Sequence, residues 1–202
     1  MALLSKKDRQ LITDPLSDNN PITVQVLGIC SALAITAELE ASVVMSVSVL
    51  FVMGVGNVVI SMIRNIVPSK IRIIVQLTVI STLVSLIDKA LAAYMYDLSK
   101  SLSVFIALIV TNCIVMGRAD GFAMQNNVKD SFLDGLGNGI GYGIMLILVA
   151  FFRELFGFGT IFDIRIFSES FNNGLMILAP GAFIILGLII WAQRSLTSFV
   201  EE

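Results

Sequence analysis

Charge interrupts this chain so rarely that cutting the sequence at every Asp, Glu, Lys and Arg leaves six long uncharged windows, 19–37, 41–63, 73–87, 101–117, 135–152 and 170–193. A hydrocarbon core of about 30 Å takes ~20 apolar residues per helix, and backbone polar groups inside it must be satisfied within the protein. The windows therefore predict an all-α integral membrane protein. Composition agrees, with 56% hydrophobic residues, 14% charged residues and a mean hydropathy of +0.91, where a globular chain carries roughly 25% charge. The complete lack of histidine excludes Ser-His-Asp and Cys-His nucleophile pairs, His-ligated zinc or haem, and histidine proton shuttles. No catalytic residue is assigned. A net charge of -2 argues against nucleic acid as a partner, and two cysteines are too few for a disulfide framework.

Windows 41–63 and 170–193 are long enough to span. Window 73–87 is expected to continue past Asp88 and Lys89 into Ala90–Tyr96, with those charges inside the bundle or snorkelling to the interface. Windows 19–37 and 101–117 are short and interrupted by Thr23, Gln25 and Ser31 in one and by Thr111 and Asn112 in the other. They read as broken or half-length elements. No linker divides the chain, so residues 1–202 form a single membrane domain, with 1–18 a polar cytoplasmic segment lying along the surface. Residues 156–169 make the only sizeable outer loop, and Phe151, Phe152, Phe156 and Phe158 suit an interfacial aromatic belt.

Lys and Arg outside the spans divide nine to four. Lys6, Lys7, Arg9, Arg64, Lys70, Arg72, Arg118, Lys129 and Arg194 fall on one side, and Lys89, Lys100, Arg153 and Arg165 on the other. The larger set marks the cytoplasm and places both termini there. A secretory leader ending at Ala32-Leu33-Ala34 is the weaker alternative, because Asp14, Asp18, Asn19, Asn20 and Pro21 make a poor n-region.

Asn20 and Pro21 can open a helix as cap and first residue. Cys30, nine residues beyond Pro21, then lies roughly 14 Å into the membrane. Cys113, eleven residues beyond Leu102, lies roughly 16 Å in by the same rise. Both reach the midplane. Cys30 is on span one and Cys113 on span four, and an odd number of spans inverts the second copy. The chain thus reads as two inverted three-helix repeats, about 19–96 and 101–194, with short or broken first and fourth helices and a site at their interface. Without histidine, a buried soft metal there needs thiolate, and two thiolates fill half of a four-ligand shell, so a second protein would complete it. The alternative is that each cysteine is a small packing hydrophobe.

The segments Asn19-Asn20-Pro21, LGICSALAIT at 27–36, KIRIIVQL at 70–77, TNCIVMGRADGFAM at 111–124, DGLGNGIGYG at 134–143, FFREL at 151–155 and NGLMILAP at 173–180 resemble the D-type membrane subunits of bacterial Na+-translocating NADH:quinone oxidoreductases. That family (Nqr) includes the paralogous E-type subunit and the related membrane subunits of the Rnf ferredoxin:NAD+ oxidoreductase. A proline is expected after the first cysteine in the Rnf relative, so Ser31 favours the Na+-pumping quinone reductase. The resemblance implies an inner-membrane subunit that pairs with its E-type paralogue in a six-subunit complex. It also implies that Cys30 and Cys113 fall on ligand positions of a [2Fe-2S] cluster shared with that paralogue. By the same resemblance, NADH, flavins, ubiquinone and Na+ are expected to be handled mainly by other subunits. Two departures stand out: Asp120-Gly121 replace an expected Glu-Ala, and the outer loop at 156–172 is shorter than usual.

Gly135, Gly137, Gly139, Gly141 and Gly143 never give G-x-G-x-x-G, and no Walker lysine follows. Gly135, Gly139 and Gly143 instead form a small-xxx-small face for close helix packing, expected against a helix of a partner protein. Arg64 and Arg153 close the second and fifth spans and are expected to anchor them and cap carbonyls. Arg118, five residues after Cys113, is a candidate for tuning a reduced cluster with positive charge. Asp88, Asp97, Asp120, Asp134 and Glu154 are oxygen ligands that hard Na+ could use, or surface groups. Electron transfer is the favoured function. A small inverted-repeat transporter or channel is the alternative that the repeat alone allows.

The topology is open to direct measurement. A cytoplasmic reporter fused at Thr197 should be active, and the same reporter within 156–169 inactive. A periplasmic signal from Thr197 would overturn the orientation.

Overall fold

The computed structural model of the chain describes residues 6–16, 19–94, 107–161, 164–165, 174 and 178–197. Helix α1 (Lys6–Thr13) runs into a 3-10 turn at Asp14–Leu16, followed by the short helix α2 (Ile29–Ile35) and the long α3 (Leu39–Ile63). A 3-10 turn at Ser69–Ile71 leads into α4 (Arg72–Tyr94). Residues 107–110 are helical. Helix α5 (Cys113–Arg118) ends in a π-turn at Ala119–Ala123, and α6 (Val128–Gly157) follows. Thr160–Ile161 and Ile164–Arg165 make a two-residue antiparallel pair, and α7 (Ala179–Thr197) is the last element among the described residues.

Three segments among the described residues are long and apolar enough to cross a membrane, Leu39–Ile63, Ser69–Ala93 and Val128–Gly157, and Ala179–Ser195 is a shorter apolar helix. Helix α4 continues through Asp88 and Lys89 as expected. Their charges sit 3.7 Å apart with Lys89 almost fully exposed, so the pair looks outward rather than into the bundle. Asp97, Lys100, residues 101–106 and most of the 156–173 loop lie outside the described residues, as does the boundary between the two expected repeats.

The bundle is organised by α3 and α6, which pack antiparallel through glycine. A Cβ added at Gly135 would lie 2.7 Å from the Met53 carbonyl oxygen, one at Gly139 2.7 Å from Leu50 Cδ1, and one at Gly143 3.2 Å from Ser46 Cβ. Such approach lets two backbones touch and dispersion contacts accumulate along the seam. The partner of this face is therefore α3 of the same chain, which corrects the expectation of a helix from another protein. Gly137 and Gly141 take the other side of α6, where a Cβ would meet the carbonyl oxygens of Leu11 and Pro15, each at 2.5 Å. The amino-terminal segment lies along the surface of the bundle, packed onto α6, and its carbonyls reach a helix that carries no side chain at those positions.

The first and fourth windows are broken at their polar residues, as expected, but Asn20-Pro21 does not start the helix of the first. Asn20 Oδ1 accepts hydrogen bonds from the N–H groups of Ile22 (3.0 Å) and Thr23 (3.3 Å). That cap serves only a turn, because Leu27 N–H donates to the Pro21 carbonyl and the α-helix starts at Ile29. Asn112 breaks the fourth window and caps α5, its Oδ1 accepting from Ile114 N–H. The rise per residue of one continuous helix does not apply to either cysteine. Helices of seven and six residues span only about 10 Å each.

The far ends of these half-helices are held by long-helix residues. Arg153 of α6 donates to the Leu33 carbonyl (3.2 Å), Thr36 Oγ1 (2.7 Å) and the Leu178 carbonyl (3.5 Å). Arg64, following α3, donates to the Asn126 carbonyl beyond the π-turn and to Asn127 Oδ1. Glu154 Oε2 accepts the Leu39 N–H that starts α3, at 2.7 Å. Phe152 stacks on Phe156 and meets Phe151 edge-on near the carboxy-terminal end of α6.

The glycine seam sets a stability test. Gly135→Ala should lower unfolding stability by about 1–3 kcal/mol, the range for overpacking a tight core, read as a loss of thermal stability in detergent. Gly187→Ala, where a Cβ meets nothing within 4 Å, should stay close to the parent. Equal behaviour of the two variants would contradict the seam.

Candidate functional site

The two broken windows meet. Cys30 is the second residue of α2 and Cys113 the first of α5, and their sulfurs lie 3.9 Å apart. The uncharged stretch of α6, residues 135–152, is about 27 Å long. Tyr142, which touches this site, lies close to its middle, so the thiol pair is level with the centre of that uncharged stretch. The equal depth expected for the two cysteines is reached by half-helices that start together and run apart.

Three local features aim the pair. Gly28 adopts φ +81°, a left-handed conformation suited to glycine, and a Cβ there would strike Tyr142 Cε2 at 2.9 Å. Its N–H donates to Cys113 Sγ at 2.9 Å. Val26, two residues earlier, is held at φ +58°, a strained conformation for a β-branched side chain that costs on the order of 1–3 kcal/mol. The strain falls in the loop that presents this donor to sulfur.

Behind the thiols lies a buried polar cluster. Ser31 Oγ donates to the Gly28 carbonyl (2.9 Å), lies 2.7 Å from the Tyr142 hydroxyl, and accepts from Asn112 Nδ2 (3.1 Å). A serine hydroxyl has one proton and two lone pairs. With its proton on Gly28, both lone pairs accept, one from Tyr142 and one from Asn112. Tyr142, Ser31 and Asn112 are all buried. Tyr142 is a site residue that no motif marks. The signal for it is its place as the one polar aromatic within the glycine run of α6.

Towards the exterior the site is open: Cys30 is exposed and Cys113 half-buried. The sulfurs are too far apart for a disulfide, which needs about 2.05 Å. A tetrahedral metal with bonds of about 2.3 Å to sulfur spaces two thiolates roughly 3.8 Å apart. The donor set and spacing thus fit two adjacent ligands of one tetrahedral metal, with the remaining positions facing out of the chain. Among the described residues no group of three or more His, Cys, Asp or Glu is placed to hold a metal ion.

The other candidate residues lie elsewhere. Arg118 forms a two-pronged ion pair with buried Asp134, while its guanidinium lies 5.2 Å from the Phe122 ring centroid. Its charge is compensated locally. Asp120 pairs with Arg72 at 2.6 Å and accepts from Gln76 Nε2 at 3.2 Å, so the departure from Glu at this position leaves a structured carboxylate. Asp88, Asp120, Asp134 and Glu154 are separately placed, and Asp97 lies outside the described residues.

Residues 9–190 match the family described as Rnf-Nqr subunit, membrane protein. The D subunit of the Na(+)-translocating NADH-quinone reductase of Proteus mirabilis (strain HI4320) is 52% identical over 205 residues, covering 98% of each chain. The protein of the same description in Haemophilus influenzae (strain PittGG) is 54% identical, covering 93% of each chain. That of Psychromonas ingrahamii is 53% identical over 95% of this chain and 94% of its own.

The unequal exposure of the two thiols gives a chemical test. In the full chain expressed on its own and dissolved in detergent, N-ethylmaleimide should alkylate Cys30 several-fold faster than Cys113, whose sulfur is half-buried and hydrogen-bonded. Equal rates, or a faster Cys113, would contradict this geometry.

Proposed function

The chain belongs to the Rnf-Nqr family of membrane subunits, and from that premise we propose that it is an electron-transfer subunit of a Na+-translocating NADH:quinone reductase. In this reading Cys30 and Cys113 supply half the ligands of a [2Fe-2S] group, and the paralogous E-type subunit supplies the other half. The observation that carries the reading is the 3.9 Å separation of two thiols that are 83 residues apart in the chain and come from two different windows. Packing cysteines have no reason to meet at a metal-ligand spacing on an open surface. When bound, such a group accepts and releases one electron at a time.

This chain's own residues hold the thiols and control their surroundings. Gly28 N–H stabilises negative charge on Cys113 sulfur, which favours the thiolate that a soft metal requires. The buried Tyr142, Ser31 and Asn112 keep water from the inner side of the pair. Helices α3 and α6 form a rigid wall behind it. The open outer side receives the partner's thiols, in an architecture of two inverted three-helix repeats whose half-helices meet at the boundary between the two proteins. Both termini lie in the cytoplasm, and the protein resides in the bacterial inner membrane. NADH oxidation, flavin chemistry, ubiquinone reduction and Na+ export belong to the complex of six subunits as a whole.

Alanine substitution tests the ligand assignment. Cys30→Ala and Cys113→Ala should each remove the intramembrane iron and its visible absorbance from the purified complex, because three thiolates leave one iron under-ligated. Full iron content and quinone reductase activity in either variant would rule the assignment out.

A further inference from the structure

The Tyr142 hydroxyl is buried and ends a hydrogen-bonded chain that reaches both thiol-bearing elements. We propose that Tyr142 is a positioning residue that locks the two half-helix starts together and so fixes the separation and hydrogen bonding of the Cys30 and Cys113 sulfurs. The proposal rests on the reading of these cysteines as metal ligands and adds to it a residue that no cysteine pattern marks.

The links run from residue to residue across the break. Tyr142 OH meets Ser31 Oγ at 2.7 Å, on the residue next to Cys30. Ser31 Oγ accepts from Asn112 Nδ2 at 3.1 Å, on the residue next to Cys113. Asn112 also caps α5 through its Oδ1, so the amide that reaches Ser31 sets the first turn of the helix that Cys113 begins. Ser31 donates its proton to the Gly28 carbonyl, and the Tyr142 ring presses on Gly28 from the other side. Gly28 in turn donates its N–H to Cys113 sulfur. One side chain on the rigid helix α6 thereby secures both elements that carry the thiols. Its hydroxyl fixes the serine bridge, and its ring fixes the peptide whose N–H reaches sulfur.

Removing only the hydroxyl separates these roles. In Tyr142→Phe the ring still seats Gly28, but Ser31 loses the donor to one lone pair in a buried place. The serine bridge, the asparagine cap and the Gly28 N–H then loosen together. Ser31→Ala breaks the same chain from its centre without touching the ring or either cysteine.

Two readouts test the proposal. In membranes containing the full chain without its partner proteins, diamide takes two electrons and two protons from the thiol pair and leaves the Cys30–Cys113 disulfide. The rate reports how often the sulfurs meet and requires no iron. Both Tyr142→Phe and Ser31→Ala should slow this step about tenfold. In the purified complex the same variants should retain iron but shift the centre to a more negative reduction potential, since loss of an N–H donor to sulfur destabilises the reduced form. A merely structural tyrosine would lower yield while leaving the oxidation rate and potential of the folded fraction unchanged. Parental oxidation rates together with an unshifted potential would overturn the proposal, and should Tyr142→Phe fail to assemble, Ser31→Ala decides it alone. Iron retained in Cys30→Ala would instead overturn the ligand reading, which the oxidation rate does not depend on.

Discussion

The structure turns on one requirement: two breaks in the backbone lie level with the middle of a long apolar helix, where each freed N–H or carbonyl must find its partner within the protein. At Pro21–Gly28 and at Thr111–Asn112 the helical ladder stops, and the elements around the breaks answer for the groups it frees. Asn20 and Asn112 side chains accept from the first free amides. Ser31 takes the Gly28 carbonyl, and Cys113 sulfur takes the Gly28 amide. Using sulfur as a backbone acceptor ties the geometry of the break to the chemistry of the thiol.

That arrangement needs a rigid wall close behind it, which explains the glycine run of α6. On one side Gly135, Gly139 and Gly143 bring α3 into backbone contact, and on the other Gly137 and Gly141 admit the carbonyls of the amino-terminal segment. Tyr142 projects from between these two faces towards the thiols. At opposite ends of the bundle, Arg64 and Arg153 secure the far ends of the segments that carry Cys113 and Cys30. The two thiol-bearing elements are therefore held alike at both ends, from the centre by the polar cluster and from outside by an arginine.

Much of this is legible in the sequence. The uncharged windows mark the helical membrane class, because charge is expensive in hydrocarbon whatever the packing. The polar interruptions mark the two broken elements, whereas a depth counted along continuous helices does not hold, and it is the meeting of the two helix starts that brings Cys30 and Cys113 together. What stays hidden depends on side chains meeting across the chain. Asn20-Pro21 has the pattern of a helix start, yet the same cap closes a turn, and nothing local tells the two apart. The glycine face announces a close neighbour without saying which. The charges of Lys6, Lys7 and Arg9 point the amino-terminal segment to the surface, whereas the glycine slots that receive it lie more than a hundred residues away. Arg118 is close to Cys113 along the chain, but the buried Asp134 that claims it lies on another helix.

The central claim is that this chain provides half of a metal shell and that a paralogous protein provides the rest. Iron and acid-labile sulfide, counted per polypeptide in the purified chain and in its co-purified pair with the E-type paralogue, test it most directly. The account predicts no iron in the chain alone and one two-iron centre per heterodimer. A stable two-iron centre in the isolated chain, or in a homodimer of it, would contradict the shared site.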